Sequence, residues 1–510
     1  MIKNPLLILS ALFVAFSCES HAEHIDKVEA PLLVSVSPEN GASGIAADGS
    51  TDIVFTYNQN IKASPAFGGC ITISPDAEIQ KANAYGKTLT ITVSGLKHET
   101  TYTLSIAPGY VKGFRENQDA AEGASTSFTT VNAPAPPKEI PEPGIGSGGW
   151  ENNTAAVLNM KYGWNLGNTL DAYSFTYDAS LSWEQMQQKS WIYQSGGNTT
   201  SAWETAWGQP VATRELIHMF KQEGFGVIRV PVTWAEHIDA QGNVDEAWMK
   251  RVEEVVGYVL DEGLYCVLNV HHDTGTQGWL RASDAMYDKY KDVFANLWTQ
   301  IAVRFQDKGE KLLFEGYNEM LNMKAAWSVG AGDAALPVIN KFAQLFVDTV
   351  RSTGGNNAHR NLIVSTYAAA CGAPILEAFE IPSDSATDHL IAEVHSYAPY
   401  RFAFKQDDPS QQITVFDEAC EREIQSIVKV IADKLMSKGV PVVIGEYGSD
   451  SSVATETELG KQAACYVATA KQYGICCMYW MGLSDQSDRT VPKWTKPIIK
   501  DAIKNAWDKQ

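Results

Sequence analysis

The chain has 510 residues, of which 45% are hydrophobic and 20% are charged, and these values are typical of a globular protein with a large core. The length predicts roughly two to four domains, and the composition excludes disordered, collagen-like and polytopic membrane proteins. The 60 acidic and 40 basic residues give a formal net charge of −20. Such a surface repels phosphate backbones, so we expect no nucleic acid partner, whereas a neutral substrate meets no repulsion.

The first residues of the chain, MIKNPLLILSALFVAFSCES, have the pattern of a secretory signal peptide. The apolar run over residues 5–16 is shorter than the roughly 20 residues that a membrane-spanning helix needs. The following AFSC resembles a bacterial lipobox, in which the cysteine becomes the lipid-modified first residue. We therefore predict a signal peptide over 1–17, lipidation at Cys18 and a lipid-anchored tether over 18–30. The protein would then be secreted and held at the outer membrane or cell surface by its lipid alone; an ordinary signal peptide containing a cysteine is the alternative.

Seven cysteines remain after Cys18, and none lies in a CxxC pair or a Cys/His cluster with zinc spacing. The sequence thus gives no support for a metal site. Cys266, Cys476 and Cys477 lie within apolar runs and are expected to be small core residues. The pairing of the other cysteines is left open.

Residues 31–131 contain short segments rich in alternating or β-branched residues, separated by Gly, Pro, Asn or Asp. These segments are LLVSVSP, TDIVFTY, CITISP, KTLTITVSGL, TTYTLSIAPG and ASTSFTTV. Strands at this spacing predict an all-β sandwich, and the region resembles bacterial immunoglobulin-like modules. All 14 tryptophans lie at position 150 or later. Because sugar rings stack on broad aromatic planes, we expect this domain to be a spacer and not a carbohydrate-binding module.

The next segment is rich in proline and then in glycine, VNAPAPPKEIPEPGIGSGG. Proline favours extended geometry and glycine favours coil, which predicts a linker over 132–149 that ends in a flexible joint. The second domain is predicted over 150–510. There, short apolar runs alternate with longer amphipathic segments; the runs are KYGWNLG, GVIRVP, LYCVLNV, LLFEGYN, NLIVST, LIAEVHS, PVVIGEYG and ICCMYW.

Between the second and third runs, one face of VDEAWMKRVEEVVGYVLDEG is apolar, with Asp245 as helix N-cap and Gly263 as its C-terminal stop. Runs that are apolar on both faces suit parallel strands covered by helices. Eight such units predict an α/β fold, a (β/α)8 TIM barrel preceded by the all-β sandwich. A doubly wound open sheet is the alternative, but no Gly-rich phosphate loop follows an early strand.

In a TIM barrel the functional residues lie at the C-terminal ends of the strands. Polar or aromatic residues end nearly every predicted strand; they are Arg229, His271, Asn318, Glu319, His395, Tyr397, Glu446 and Trp480. Glu319 and Glu446 each end an apolar strand, the fourth and the seventh, on opposed parts of the ring. Two carboxylates across a cleft are the groups that glycoside hydrolysis requires, one as nucleophile and one as acid. The alternative is that each glutamate pairs with an arginine or caps a helix; a Ser-His-Asp hydrolase is disfavoured because no GxSxG occurs.

The motifs GWNLGNTLDAY, GVIRVPVTW, NVHHD, FEGYNEM, VHSYAPYRF and VVIGEYG resemble glycoside hydrolase family 5, specifically its subfamily 4 endoglucanases and xyloglucanases. The resemblance runs through 150–510 in order. It implies a TIM barrel, retention of anomeric configuration and no metal or organic cofactor. With an N-terminal immunoglobulin-like spacer and a lipid anchor, the chain also resembles the glycan-foraging lipoproteins of Bacteroidetes.

The resemblance implies roles for individual residues. Glu319 matches the family's acid/base, and Glu446 in GEYG matches its nucleophile. Arg229 would hold the nucleophile ionised, since a guanidinium lowers the pKa of a neighbouring carboxyl, and Tyr397 would donate a hydrogen bond to the same group.

Four more residues would serve the sugar. Asn318 would bond the 2-hydroxyl of the sugar that is attacked, an interaction that strengthens in the transition state. His395 and His271 would orient the acid/base and this sugar, and Trp480 would form the floor on which the sugar stacks.

Two tryptophans are weaker candidates. Trp207 and Trp279 match loop regions that line the cleft in relatives, and packing is the alternative role for each. The chain departs from many relatives at Met320 and Leu321, where proline commonly follows the acid/base, and this change affects the loop beside the aglycone subsites.

We expect a monomeric endo-β-1,4-glucanase whose partner is a polysaccharide: xyloglucan, mixed-linkage β-glucan or amorphous cellulose. A β-mannanase or xylanase on the same barrel is the alternative activity. A non-catalytic glycan-binding lipoprotein is a third reading, although both glutamates are present.

Overall fold

In a computed structural model of the chain, the described residues are 29–47, 49–115, 118–131, 138–196, 199–480 and 487–509. The predicted signal peptide, Cys18 and most of the predicted tether lie outside them. The chain divides between residues 136 and 137 into two compact units. Within the described ranges, no helix has the length and apolar character needed to cross a membrane.

The first unit is a sandwich of two four-stranded sheets. One sheet has the spatial order Leu33–Ser37, Ser50–Tyr57, Thr88–Ser94, Glu78–Tyr85; the other has the order Ala42–Ile45, Ala124–Thr130, Thr101–Ile106, Ile71–Ser74. A short antiparallel pair, Ile61–Lys62 with Lys112–Gly113, lies beside them. All six predicted strands are present. Two strands of the sheets, Ala42–Ile45 and Glu78–Tyr85, were missed. Both lie at a sheet edge and only Ala82 among their residues is buried, so the alternating apolar pattern is weak.

The second unit is a closed barrel of eight parallel strands, and this confirms the predicted α/β barrel preceded by an all-β sandwich. Each strand pairs with the next along the chain, and the first pairs with the eighth. Every strand residue is buried, which explains why each strand reads as an apolar run. The strands are Tyr162–Asn165, Val227–Val230, Tyr265–Asn269, Leu312–Glu315, Leu362–Ser365, Leu390–His395, Val442–Tyr447 and Cys476–Trp480.

Helices surround the barrel, and most begin at a side-chain N-cap. Asp245 accepts a hydrogen bond from the Trp248 amide at the start of Glu246–Asp261, and Gly263 follows that helix with φ 70°, so both predicted boundaries are confirmed. The α-helices are Asn153–Met160, Trp183–Lys189, Trp191–Gln194, Thr200–Glu204, Arg214–Gln222, Glu246–Asp261, Asp284–Arg304, Ala335–Ser352, Ala373–Ala378, Tyr400–Ala403, Glu418–Ile431, Glu456–Gln472 and Pro497–Asp508. Short 3₁₀ turns (Ser147–Gly149, Gly355–Ala358, Tyr367–Ala369, Pro409–Gln411), a π-helical turn (Ala432–Met436) and a two-stranded pair (Ser487–Asp488 with Lys493–Trp494) complete the unit.

Residues 138–149 belong to the barrel unit, which differs from the prediction of a linker through residue 149. The Lys138 amide donates to the Ser437 carbonyl at 2.7 Å. The Asn152 side chain donates to the Glu142 carbonyl at 2.6 Å, and the Ser147 hydroxyl lies 3.2 Å from Nδ1 of His359. These partners fix a segment whose proline and glycine content alone predicts flexibility.

Candidate active site

A cleft of about 820 Å³ lies at the C-terminal ends of the barrel strands. Seven of the predicted site residues line it: His271, Asn318, Glu319, His395, Tyr397, Glu446 and Trp480. The strands place them there because parallel strands in a barrel all end at one mouth. Strand Leu312–Glu315 ends four residues before Glu319, so the acid/base candidate lies in the following loop, whereas Glu446 lies within its strand.

Arg229 lies beneath this cleft and is fully buried. Its Nη1 donates to Oε1 of Glu446 at 2.7 Å and to Asn165 at 3.0 Å. Its Nε and Nη2 both donate to the Glu315 carboxylate at 2.7 Å, and Nη2 also donates to Asn318 at 2.8 Å. All five N–H groups are therefore bonded, and the guanidinium has one fixed orientation.

Glu446 has the surroundings of an ionised carboxylate. Burial by itself would raise its pKa, but the charges of His395 and Arg229 and the hydrogen bonds from Tyr397 and Arg229 outweigh burial and hold the pKa below its ordinary value. The Tyr397 hydroxyl donates to Oε2 at 2.6 Å, on the oxygen that Arg229 leaves free. The predicted contacts of Arg229 and Tyr397 with this carboxylate are thus present.

Glu319 has the opposite shift. Burial raises the pKa of its carboxyl, and the nearby Glu446 raises it too, while His395 and Arg229 only partly oppose this. Nδ1 of His395 lies 2.8 Å from Oε1 of Glu319, as expected for a residue that orients the acid/base. One carboxyl is thus suited to carry a proton while the other stays ionised.

The two carboxyl groups face each other at short range. One oxygen of Glu319, one oxygen of Glu446 and one ring nitrogen of His395 all lie within 4.8 Å of one another. Carboxyl groups in retaining glycosidases are ~5–5.5 Å apart, whereas inverting enzymes need ~6.5–9.5 Å to fit a water molecule. The separation fits direct attack by one carboxylate on the sugar.

An aromatic wall forms one side of the cleft. The rings of His271 and Trp480 are stacked, with centroids 5.6 Å apart and an interplanar angle of 9°. Burial holds the pKa of His271 well below its ordinary value, so this ring is neutral. A Cβ on Gly167 would lie 3.0 Å from the Trp480 ring, and the glycine in GWNLGN therefore lets the indole lie flat against the chain.

The structure contradicts the prediction that Trp279 lines the cleft. Trp279 is fully buried, and its indole N–H donates to Asp273 at 2.7 Å. Its ring packs edge-on against Trp183 and Tyr290, so Trp279 is a core residue. The motif match places Trp279 in a loop beside the cleft but does not predict the direction of its side chain. The prediction was wrong for this reason.

Trp207 is half-buried and is outside the set of residues that line the cleft. Its ring lies 5.4 Å from that of His272, which does line the cleft, and 5.3 Å from Tyr173. Its indole N–H donates to the Tyr173 carbonyl at 3.2 Å. Trp207 thus packs beside a cleft-lining histidine, and its contact with sugar stays a prediction.

Several site residues were missed by the sequence analysis. Exposed Trp327 and Tyr400 line the cleft together with Phe404. Trp327 and Phe404 lie in loops and Tyr400 begins the short helix Tyr400–Ala403, so none of them belongs to a strand pattern. Glu315 and Glu393 lie inside apolar runs and are fully buried. A charged residue within such a run was the available signal, since an isolated charge is rarely buried without a partner.

The first residues of the loop after Glu319 pack into the protein interior. Met320 and Leu321, which stand where many relatives have proline first, are fully buried. The Met320 carbonyl accepts the Ala368 amide at 3.1 Å, and the Leu321 carbonyl accepts the Ala282 amide at 2.8 Å. The two residues thus join the loops after the third, fourth and fifth strands.

Two groups of described side chains have metal-compatible spacing. One is Glu319 with His395 and Glu446, which the carboxylate chemistry above already explains. The other is Asp171 with His271 and His272. The Asp171 carboxylate there accepts the amides of Asn168 and Thr169 at 3.0 and 2.7 Å, which fixes it as a loop-bonding group. The absence of a metal and of an organic cofactor stays a prediction.

Comparison with known proteins places this geometry in a family. Residues 186–485 match cellulase (glycosyl hydrolase family 5), and residues 27–130 match the bacterial Ig-like domain. Endoglucanase A of Clostridium longisporum is 33% identical over 394 residues, 75% of this chain and 70% of that protein.

The solved structures agree. PbGH5A, a glycoside hydrolase family 5 enzyme from Prevotella bryantii B14, is 39% identical with a TM-score of 0.62, covering 70% of this chain and 99% of that chain. A mutant of PbGH5A in complex with the xyloglucan tetradecasaccharide XXXGXXXG is 38% identical with a TM-score of 0.61, at the same coverage. The chain therefore belongs to glycosyl hydrolase family 5 and is a glycoside hydrolase built on a TIM barrel with an N-terminal Ig-like domain.

Proposed function

We propose that the protein is a retaining endo-β-1,4-glucanase. The observation that carries this proposal is the pair Glu319 and Glu446, whose carboxyl oxygens lie within 4.8 Å of each other and whose pKa values shift in opposite directions. This is the arrangement that double displacement at an anomeric carbon requires.

In the first step, a Glu446 oxygen attacks the anomeric carbon while Glu319 gives its proton to the departing glycosidic oxygen. The C–O bond to the aglycone breaks, and a covalent glycosyl–enzyme bond forms. In the second step Glu319, now ionised, takes a proton from water, and the water oxygen displaces Glu446. Asn318 faces the 2-hydroxyl, and Trp480 supports the sugar ring.

The proposed substrates are xyloglucan, mixed-linkage β-glucan and amorphous cellulose. Support comes from the xyloglucan oligosaccharide bound to the P. bryantii enzyme and from the name of the C. longisporum endoglucanase. The cleft is open and neutral glycans meet no repulsion from a chain of net charge −20. Trp327 and Tyr400 on the cleft wall offer exposed aromatic surface for further sugars.

We also propose that the protein is a secreted, monomeric lipoprotein anchored at Cys18 to the outer membrane or cell surface. The N-terminal apolar run and the AFSC segment support this. Incorporation of labelled fatty acid into the native protein, lost in Cys18→Ala, is the expected result. Secretion of an unlabelled wild-type chain would contradict the anchor.

The activity test uses the chain from residue 19, without its lipid. Reducing-sugar release is measured on xyloglucan, barley β-glucan, carboxymethylcellulose, galactomannan and xylan, with the variants Glu319→Ala and Glu446→Ala. We expect activity on the glucans that both variants lose, while the control Glu377→Ala, a surface carboxylate paired with Lys434, keeps it.

The alternatives give different outcomes. Activity on galactomannan or xylan alone would replace the glucanase by a mannanase or xylanase. Binding of the glycans without release would favour a non-catalytic protein. The anomer of the first product, followed by NMR, is expected to be β; an α product would exclude retention.

A further inference from the structure

Among the residues that the structure describes, two buried side-chain atoms near Glu319 and Glu446 have no hydrogen-bond partner: Oε1 of Glu393 and Nε2 of His395. They lie 3.8 Å apart. Glu393 is a fully buried residue of the sixth barrel strand, and its other oxygen, Oε2, accepts the Ser365 hydroxyl at 2.6 Å. A buried carboxylate with one oxygen directed at an imidazole is costly unless that imidazole carries charge.

The neighbouring strand leaves room for this carboxylate. The register between the sixth and seventh strands shifts by one residue between Val394 and His395, opposite Gly445. A Cβ on Gly445 would overlap Oε1 of Glu393 and would lie 3.2 Å from Nε2 of His395. The glycine that precedes the nucleophile Glu446 is therefore the position that lets Glu393 reach His395.

His395 is the link between Glu393 and the acid/base. Its Nδ1 lies 2.8 Å from Glu319, and its Nε2 faces Glu393. Burial would lower the pKa of His395, but Glu446, Glu319 and Glu393 outweigh burial and raise it to about 10. The ring is thus an imidazolium with an N–H on each nitrogen, one directed at Glu319 and one at Glu393.

We propose that Glu393 is a positioning residue of the hydrolysis, whose carboxylate holds the His395 imidazolium in the orientation that presents Nδ1–H to Glu319. The inference rests on the proposed function, because it needs Glu319 to be the acid/base. When Glu319 gives its proton to the leaving oxygen it becomes negative, and Nδ1–H of His395 stabilises that new charge. The Glu393 carboxylate fixes the orientation of the His395 imidazolium and balances its positive charge.

Other charged groups face the same pair. Nε of Arg229 lies 3.7 Å from Oε1 of Glu393, and Glu315 bonds the same guanidinium from the fourth strand. Glu446 Oε2 lies 3.6 Å from Nδ1 of His395. The buried Tyr317 hydroxyl and the neutral His271 ring complete the surroundings. Oε1 of Glu393 thus faces two cations, but all five N–H groups of Arg229 already have hydrogen-bond acceptors, whereas Nε2 of His395 has none among the described residues. The orientation of His395 is therefore the one that Glu393 can set.

The role proposed for Glu393 affects proton donation by Glu319 and no other step, so it can be tested with leaving groups that differ in their need for a proton. The value of kcat/KM depends only on the steps up to and including the first bond cleavage, in which this proton is donated. A 2,4-dinitrophenyl leaving group departs without a proton, whereas a sugar hydroxyl needs one. Loss of acid assistance therefore lowers kcat/KM for the polysaccharide and spares 2,4-dinitrophenyl β-cellobioside.

The experiment measures both kcat/KM values for wild type, Glu393→Gln and Glu319→Ala, with circular dichroism to confirm folding. For Glu393→Gln we expect a fall of about 30-fold on xyloglucan and less than about threefold on the dinitrophenyl substrate. The matched control is Glu204→Gln, another fully buried carboxylate, which is paired with Arg251 outside the cleft. The control is expected to change both values by the same small factor.

Equal loss on the two substrates, or no loss on either, would overturn the role of Glu393. If Glu393→Gln does not fold, the second variant is Glu393→Asp, which keeps the charge but withdraws it from His395. We expect Glu393→Asp to show the same selective loss on xyloglucan to a smaller degree. Equal effects on the two substrates would again overturn the role of Glu393. Failure of the proposed function looks different: wild type would be inactive on both substrates, or Glu319→Ala would lack the leaving-group selectivity.

Discussion

Arg229 reaches Glu446 through a single N–H group, from Nη1 to Oε1 at 2.7 Å. Its other four N–H groups are held by Glu315, Asn165 and Asn318. The guanidinium is therefore fixed by residues other than the nucleophile, and the nucleophile is positioned against it. The contact between Arg229 and Glu446 therefore depends on the orientation of the guanidinium as well as on its charge.

Arg229→Lys tests this distinction, because lysine keeps the charge but has no planar fork. We expect kcat/KM to fall by roughly 100-fold or more, since the nucleophile loses its fixed partner. The control is Arg251→Lys, in an ion pair with Glu204 away from the cleft, which should keep activity within about twofold. Near-normal activity in Arg229→Lys would show that charge alone suffices.

Tyr397→Phe removes one hydrogen bond from the ionised Glu446. Since that bond helps to hold the pKa of the carboxyl down, its loss raises the pKa. Activity needs the ionised form, so the acid limb of kcat/KM against pH should move to higher pH, while the basic limb set by Glu319 changes little. An unmoved acid limb would contradict the assignment; Tyr193→Phe, on an exposed helix, is the control.

Trp279→Ala should affect stability and leave substrate binding unchanged. The side chain is fully buried against Trp183 and Tyr290, and its removal creates a cavity. We expect a loss of about 3–5 kcal/mol in the free energy of unfolding, read from denaturant curves, with KM for xyloglucan unchanged. A raised KM with normal stability would restore the sugar contact that the motif match suggested.

Truncations test where the barrel unit begins. A chain starting at residue 138 keeps the contacts of Lys138 and Ser147 with the barrel, whereas a chain starting at residue 150 loses them. We expect the barrel unit that starts at residue 138 to have the same Tm as the barrel unit in the full chain. The barrel unit that starts at residue 150 is expected to have a Tm lower by several degrees. Equal Tm values would mean that the segment adds no stability.

EDTA should leave hydrolysis unchanged, because the proposed steps use only carboxyl, imidazole and guanidinium groups. The measurement is the rate on barley β-glucan before and after chelation and dialysis. Loss of activity that calcium restores would reveal a structural ion.

The eight barrel strands and the position of Glu319 and Glu446 at the cleft could be predicted from the sequence. Strands buried on both faces appear as apolar runs, and parallel strands deliver their last residues to one mouth, so Glu319 and Glu446 stood out as charges at the ends of such runs. The family motifs then supplied the roles of Arg229, His395 and Tyr397, and the structure brings these side chains into contact with the two glutamates.

Contacts between strands distant in sequence were decided by the tertiary structure alone. The meeting of Glu393, His395 and Gly445 depends on a one-residue register shift between two strands, which no local pattern encodes. The same holds for Trp279, whose indole direction depends on the packing of its loop, and for residues 138–149, whose partners lie on the barrel. Periodicity in a sequence reports burial of a segment, but the direction of one side chain depends on neighbours from other segments.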